Sequence, residues 1–251
     1  MKFLGVSLKM YFDHQRTLAW TGQIIKAIEA NNRPGVVEVV LFPSFVSIPA
    51  VVDLVGRDNP ALRVGAQNVA SHDSGAFTGE VSAASLNQVG CRFVEIGHAE
   101  RRRLFGEDNN IIRGKLAATL AQGLVPLLCV GEPGGIEAKA AGDYCIEQLE
   151  ATLGKLGGDR PGRRLDIAYE PVAAIGASQP ADENQIVSVC QQLDQWTRAN
   201  CPQSDIRVVY GGSAGPGLFS RLGEGVGGLF LGRFAHDPAA FAQVLAEATG
   251  N

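Results

Sequence analysis

Hydrophobic positions along the chain gather into eight short runs, and most of the intervals between them carry helical spacing instead. The runs are Phe3–Lys9, Val36–Pro43, Leu62–Val69, Arg92–His98, Leu124–Gly131, Leu165–Pro171, Ile206–Gly212 and Gly227–Gly232. They are apolar throughout rather than alternating, which predicts strands buried on both faces of a parallel sheet. Arg16–Asn31, Asn110–Gln122, Ala138–Leu156, Glu183–Arg198 and Pro238–Ala248 put apolar residues on one face at helical period and polar residues on the other, predicting helices.

Strands alternating with helices need right-handed crossovers, and such a sheet either stays open and doubly wound or closes as an eight-stranded barrel. Eight runs and eight connections use up the 251 residues without a linker or a second core. The pattern therefore predicts one α/β domain over residues 1–251, a closed (β/α)8 barrel with outer helices.

Composition narrows the function classes. An apolar fraction of 45% with 19% charged residues excludes a disordered chain. Apolar stretches such as Leu124–Val130 fall far short of the roughly 18–20 residues that cross a bilayer, and Lys9 interrupts the N-terminal run where a secretory signal would stay apolar. A net charge of −4 leaves no basic surplus, so neither nucleic acid nor membrane is an expected partner, and an anionic ligand must be held by local groups. Five cysteines (Cys91, Cys129, Cys145, Cys190, Cys201), odd in number and without CxxC spacing, point to the reduced thiols of a cytoplasmic protein.

Gly223-Glu-Gly225-Val-Gly-Gly228 matches G-x-G-x-x-G, but it precedes a strand run, whereas the dinucleotide fingerprint follows one, so the match is read as chance. No P-loop or H-E-x-x-H motif is present, a serine-hydrolase site is not expected, and the four histidines lie far apart. Neither a metal nor an organic cofactor is implied.

In a barrel the chemistry sits at the C-terminal ends of the strands. Lys9, His98 and Glu170 stand at three of those ends. Singly, each has an ordinary explanation: a surface charge, a hydrogen-bonded histidine, an ion-pair partner. In a closed barrel all three would share one pocket. There a carboxylate can abstract a proton next to a carbonyl, an imidazole can polarise and protonate the oxygen, and an ammonium can offset the enediolate. Gly97-His98-Ala99-Glu100 also places His98 at a helix N-terminus, which disfavours the imidazolium. Arg101–Arg103 reads as a solvated face in the first turns of that helix.

Phosphate has candidates of its own. Tyr210-Gly211-Gly212-Ser213-Ala214-Gly215 closes the seventh run and Gly232-Arg233 the eighth, so exposed backbone N–H groups would face an anion between the last two strands. After Glu170, the small apolar stretch Pro171–Ser178, with Gly176 near its end, suits a lid that excludes water from a reactive enediol, although an ordinary βα loop competes with that reading.

These residues and their neighbours resemble the triosephosphate isomerase family over nearly the whole chain. The matching pieces are Leu8-Lys9-Met10, Gly65-Ala-Gln67-Asn-Val69, Gly75-Ala-Phe-Thr78-Gly-Glu80, Gly97-His98-x-Glu100-Arg-Arg102, Cys129-Val-Gly-Glu132, Ala168-Tyr-Glu170-Pro-Val172 with Ala174-Ile-Gly176, and Tyr210-Gly-Gly-Ser213. The resemblance implies a TIM barrel and an aldose–ketose type isomerase of small phosphorylated sugars, with Glu170 as base, His98 as electrophile and Lys9 as electrostatic residue. A carboxylate base, a neutral histidine and a closing loop are the well-known working parts of that family, and these roles are taken over from it. The resemblance further implies Ser7, Gly176, Ser213, Gly232 and Arg233 around the substrate, Glu100 and Cys129 in support, and a homodimer formed through Gln67 and the loop around Thr78.

The departures are equally specific. The family carries Asn two residues before the lysine, here Ser7; Trp before it, here Leu8; and Ser after the histidine, here Ala99. The lid's Trp is Ala173, its Thr-Gly end is Ala177-Ser178, and the last Gly-Gly is Gly232-Arg233. The catalytic trio is kept while its surroundings are enlarged and re-charged. Three readings follow: a triosephosphate isomerase, a paralogue acting on a four-carbon ketose phosphate such as an erythrulose phosphate, or a phosphosugar-binding protein without catalysis.

Overall fold

The computed structural model describes residues 1–31, 35–154 and 163–250. Its strands are β1 (Lys2–Ser7), β2 (Val37–Phe42), β3 (Leu62–Ala66), β4 (Phe93–Ile96), β5 (Val125–Val130), β6 (Arg164–Tyr169), β7 (Asp205–Gly211) and β8 (Gly228–Leu231). They pair in parallel in chain order, and β8 closes on β1 to complete the barrel. The eight hydrophobic runs are these eight strands. Each run overshoots its strand by one to three residues, because the residues that carry chemistry leave the ladder before the apolar pattern stops.

The helices are α1 (His14–Asn31), α2 (Ile48–Val55), α3 (Ala83–Gln88), α4 (Ala99–Phe105), α5 (Asn109–Ala121), α6 (Ala138–Leu153), α7 (Glu183–Asn200), α8 (Leu218–Leu222) and α9 (Pro238–Thr249). In α1, Thr17, Trp20, Thr21, Ile24 and Ile28 form the buried stripe that docks on the barrel. Asp108, Asp182 and Asp237 cap α5, α7 and α9 by accepting backbone N–H groups of the first turn. The expected helix Ala138–Leu156 ends at Leu153, and Lys155 and Leu156 lie outside the described residues. The expected Arg16 start moves back to His14. Short helices such as α2, α3 and α8 escape periodicity, because five to eight residues hold barely two turns.

Apolar strands are explained by two separate cores. Leu4, Val6, Val39, Leu41, Val94, Ile96, Leu128 and Ile167 face the helices. Phe3, Val40, Phe42, Phe93, Leu127, Cys129, Ala168, Val209 and Phe230 fill the lumen. Successive residues of a strand serve alternate cores, which leaves the middle and C-terminal parts of the strands largely shut off from water.

The lumen itself is layered. Its lower end is closed by charge: Arg164 and Arg207 both bridge Glu38 and Asp166, and the Arg207 guanidinium lies 4.6 Å from the Phe3 ring centroid. Aromatic rings come next, with Phe42 and Phe230 packed edge to face at 5.5 Å. The strand ends above them open into the site. No described helix is long and apolar enough to cross a membrane.

Candidate active site

The C-terminal mouth of the barrel holds a cavity of about 950 Å³. Ser7, Lys9, His98, Glu100, Cys129, Glu170, Gly176, Ser213, Gly232 and Arg233 all line it, so the structure brings together every catalytic and substrate-side residue expected from the sequence.

Lys9 follows β1 in the left-handed region, at φ 47°, a conformation that costs a non-glycine residue about 1–3 kcal/mol and persists only where the surroundings enforce it. Gln67 enforces it by donating to the carbonyls of Lys9 at 3.0 Å and Phe42 at 2.8 Å. The ammonium reaches Glu100 Oε1 at 2.8 Å. Burial works against the charged lysine, but the hydrogen bond and charge of Glu100, with Glu170 and Glu95, outweigh it and hold its pKa above the ordinary value. Burial likewise works against the Glu100 carboxylate, and Lys9 overcomes it to hold that pKa low. Each charge sustains the other.

His98 is the N-cap of α4, and its Nδ1 accepts the backbone N–H of Glu100 at 3.2 Å. A nitrogen that accepts carries no proton, so the ring is neutral with its proton on Nε2. That nitrogen lies 3.5 Å from Glu170 Oε2.

Glu170 stands just past β6, buried, and its Oε2 has no hydrogen-bond partner. Two glycines make its position possible. A Cβ on Gly211 would come within 2.6 Å of Glu170 Cγ, and one on Gly131 within 1.8 Å of the Glu170 carbonyl oxygen. Cys129 lies beside it, and burial pushes its thiol well up, so it serves as an uncharged wall.

The lid stretch contains a single turn of 3-10 helix, Val172–Ala174. Its first hinge is held by Glu132, whose carbonyl accepts the Val172 N–H at 3.0 Å and whose carboxylate accepts from Tyr169 and Gln185 at 3.1 Å each. At the far hinge, Ser213 Oγ donates to the Ala177 carbonyl at 2.6 Å and Arg233 Nη2 to the Gly176 carbonyl at 2.5 Å. Gly211-Gly212-Ser213-Ala214-Gly215 fits the G-x-S-x-G pattern of serine hydrolases. Here the hydroxyl spends its proton on a lid carbonyl instead of a histidine.

The arginine triplet is not the solvated face expected of it. Arg101 is half-buried against Glu107 at 2.5 Å, and Arg102 donates to the Gly97 carbonyl at 2.9 Å and lines the cavity; Arg103 alone among the three is exposed. Glu95, on β4, is a further residue that the sequence pattern does not single out. Its side chain is fully inside the lumen and accepts from the Ser7 hydroxyl at 3.0 Å. The one signal in the sequence is a single glutamate inside the apolar run Phe93–Ile96, in phase with Phe93.

A buried carboxylate with a free oxygen, a neutral imidazole directed at it and an ammonium on the same wall can carry a proton between adjacent carbons. On this fold, such a site can carry the chemistry of an isomerase that works through an enediol. Residues 2–248 match the family model described as triosephosphate isomerase. The chain is 47% identical over 247 residues to the L-erythrulose-1-phosphate isomerase of Pectobacterium atrosepticum, covering 98% of this chain and 95% of that one. It is 36% identical over 253 residues to the triosephosphate isomerase of Rhodococcus jostii (96% and 94% covered) and 39% over 223 residues to that of Mycobacteroides abscessus (85% and 84%). The chain belongs to the triosephosphate isomerase family, and it is a sugar-phosphate isomerase.

Proposed function

We propose that the substrate is a four-carbon ketose phosphate, with Glu170 as base, His98 as the acid at oxygen and Lys9 as the balancing charge. The observation that carries the choice of substrate is Ser7 on the cavity wall, a short side chain where the family has the longer Asn. The similarity to an erythrulose phosphate isomerase at 47% identity supports the same choice.

The chemistry constrains the reaction. Erythrulose 1-phosphate is dihydroxyacetone phosphate with a hydroxymethyl group on its reacting carbon. C1 carries the phosphate ester and cannot become a carbonyl, so the carbonyl at C2 can move only to C3. Glu170 takes the C3 proton, the C–H electron pair becomes the C2–C3 double bond, and charge collects on the C2 oxygen. His98 Nε2–H donates to that oxygen. Loss of the proton on the C3 oxygen and its replacement at C2 leaves the carbonyl at C3. The product is a ketose, so this substrate turns the aldose–ketose shift expected from the sequence into a ketose–ketose one. Neither oxidant nor cofactor enters the balance.

The phosphate belongs between Ser213, Gly232 and Arg233, under the lid hinge at Gly176. The reading also includes a homodimer through Gln67 and the loop around Thr78. Family membership supports it, as does the exposure of residues 72–80 along their length. The five buried, free cysteines support a cytoplasmic setting.

The test is kcat/KM for erythrulose 1-phosphate against glyceraldehyde 3-phosphate, measured on purified protein. A strong preference for the four-carbon compound is expected. Turnover of the triose near the diffusion limit, with little of the tetrulose, would overturn the proposal.

A further inference from the structure

Ser7 and Glu95 form a polar pair in the lumen that the proton transfer above does not use. Ser7 ends β1 and Glu95 is the third residue of β4. Strand phase turns both inward, since Ser7 lies four residues beyond Phe3 and Glu95 two beyond Phe93, both lumen residues. Ser7 lines the cavity, whereas Glu95 does not and is only 4% exposed. Among the described residues Glu95 makes no ion pair; Ser7 Oγ donates to its Oε2 at 3.0 Å.

A carboxyl group at this depth is costly, and the barrel does not need one. Elsewhere the upper lumen is filled by apolar residues such as Phe42, Cys129 and Phe230. The pair therefore calls for a purpose other than packing.

Its polarity indicates one. An ionised carboxylate only accepts hydrogen bonds. The single Ser7 proton is then committed to Glu95, and the lone pairs of Oγ are left to the cavity. A ligand carbonyl or enediolate oxygen finds no donor there, while a ligand hydroxyl can donate to Oγ. If Glu95 holds a proton the chain can run the other way, and a hydroxyl can accept it. A hydroxyl serves both states. The amide that the family places at this position would instead project its own donor and fill the space.

We propose that Ser7, held in place by Glu95, is the subsite for the C4 hydroxyl of the four-carbon substrate, the group that separates it from a triose phosphate. This rests on the four-carbon reading above. Ser7 touches the ligand; Glu95 is a positioning residue that acts through it.

The discriminating probe is 4-deoxy-erythrulose 1-phosphate, which keeps the reacting carbons and phosphate but lacks that hydroxyl. The native enzyme should use it at least about 100-fold less efficiently than erythrulose 1-phosphate, because a site built to bond a hydroxyl rejects the analogue without one. In Ser7→Ala, the ratio between the two compounds should fall to within about fivefold, through loss on the hydroxylated substrate. Glu95→Gln should lower the ratio as well, while Glu95→Asp, which retains an acid, should recover part of it. If the native enzyme turns over both compounds equally, the subsite proposal is overturned and the four-carbon reading stands. If the native enzyme ignores erythrulose 1-phosphate and turns over glyceraldehyde 3-phosphate, both fall. Even if a variant does not fold, rejection of the deoxy compound by the native enzyme supports a hydroxyl subsite, and equal use of both compounds refutes it.

Discussion

The guanidinium of Arg233 donates to the carbonyl of Gly176 at 2.5 Å, joining the loop after β8 to the far hinge of the lid. Where the family has a second glycine, this chain has a side chain that can hold the lid and present further donors to phosphate. Arg233→Ala should therefore raise KM more than it lowers kcat, by roughly tenfold, the size expected for one hydrogen bond to a charged group. Inhibition by inorganic phosphate should weaken in parallel. An unchanged phosphate inhibition constant would mean that Arg233 serves the lid alone.

Glu170 is the base in the proposed reaction, and its free Oε2 faces the His98 ring at 3.5 Å. Glu170→Gln keeps the shape and removes proton abstraction. It should cost on the order of 10³-fold in kcat with the melting temperature little changed. A loss below tenfold in a folded variant would end the assignment.

Most of this is legible in the sequence because burial on both strand faces writes an unbroken apolar signature. Lys9, His98 and Glu170 can be placed at strand ends for the same reason. What periodicity does not convey is how residues leave the strands. Lys9 at φ 47° and Ser213 at φ 41° adopt conformations that their side chains do not announce, and the enforcing contact, Gln67 on the Lys9 carbonyl, joins residues 58 positions apart. Glu95 is hidden because one acid in a four-residue strand does not disturb the pattern, and its partner Ser7 lies 88 residues away. Arg101 and Arg102 read as solvated because a run of charge usually is. Only the fold reveals Glu107 and the Gly97 carbonyl beside them.

Gly211 tests how finely the base is placed. Its backbone is open to ordinary residues, yet a Cβ there would sit 2.6 Å from Glu170 Cγ and 2.7 Å from Oε1. Gly211→Ala should push the carboxylate away from its position. A displacement near 1 Å in a reacting group can cost about 10²-fold. The loss should fall on kcat, with phosphate inhibition unchanged. A variant with full kcat would show that Glu170 tolerates another position.

At the other end of the lumen, Arg207 bridges Glu38 and Asp166, and Asp166 is fully buried. Arg207→Ala would leave Asp166 paired with Arg164 at 3.2 Å and remove the guanidinium packed on Phe3. Breaking a buried pair from one side costs about 3–5 kcal/mol. Denaturant unfolding should show that loss. A change under about 1 kcal/mol, the size of an exposed pair, would mean that Arg164 alone satisfies both acids.

The last prediction concerns pH. Burial, the largest influence on Glu95, pushes its pKa from 4.5 up to about 7, and the charge of Glu170 adds to it, while the charge of Lys9 and the Ser7 hydrogen bond act the other way. The native state thus holds a proton between about pH 4.5 and 7 that the unfolded chain has released. Wherever the native state binds more protons, stability falls as pH rises. The contribution is complete below the unfolded value and is lost as pH passes through about 7. The rise from 4.5 to about 7 corresponds to about 3 kcal/mol. Glu95→Gln has no proton to lose, so its stability relative to the native protein should grow by about that amount from roughly pH 5 to pH 8. Parallel unfolding curves for the two proteins across that range would show that Glu95 stays charged throughout, and that Ser7 Oγ presents only lone pairs to the cavity.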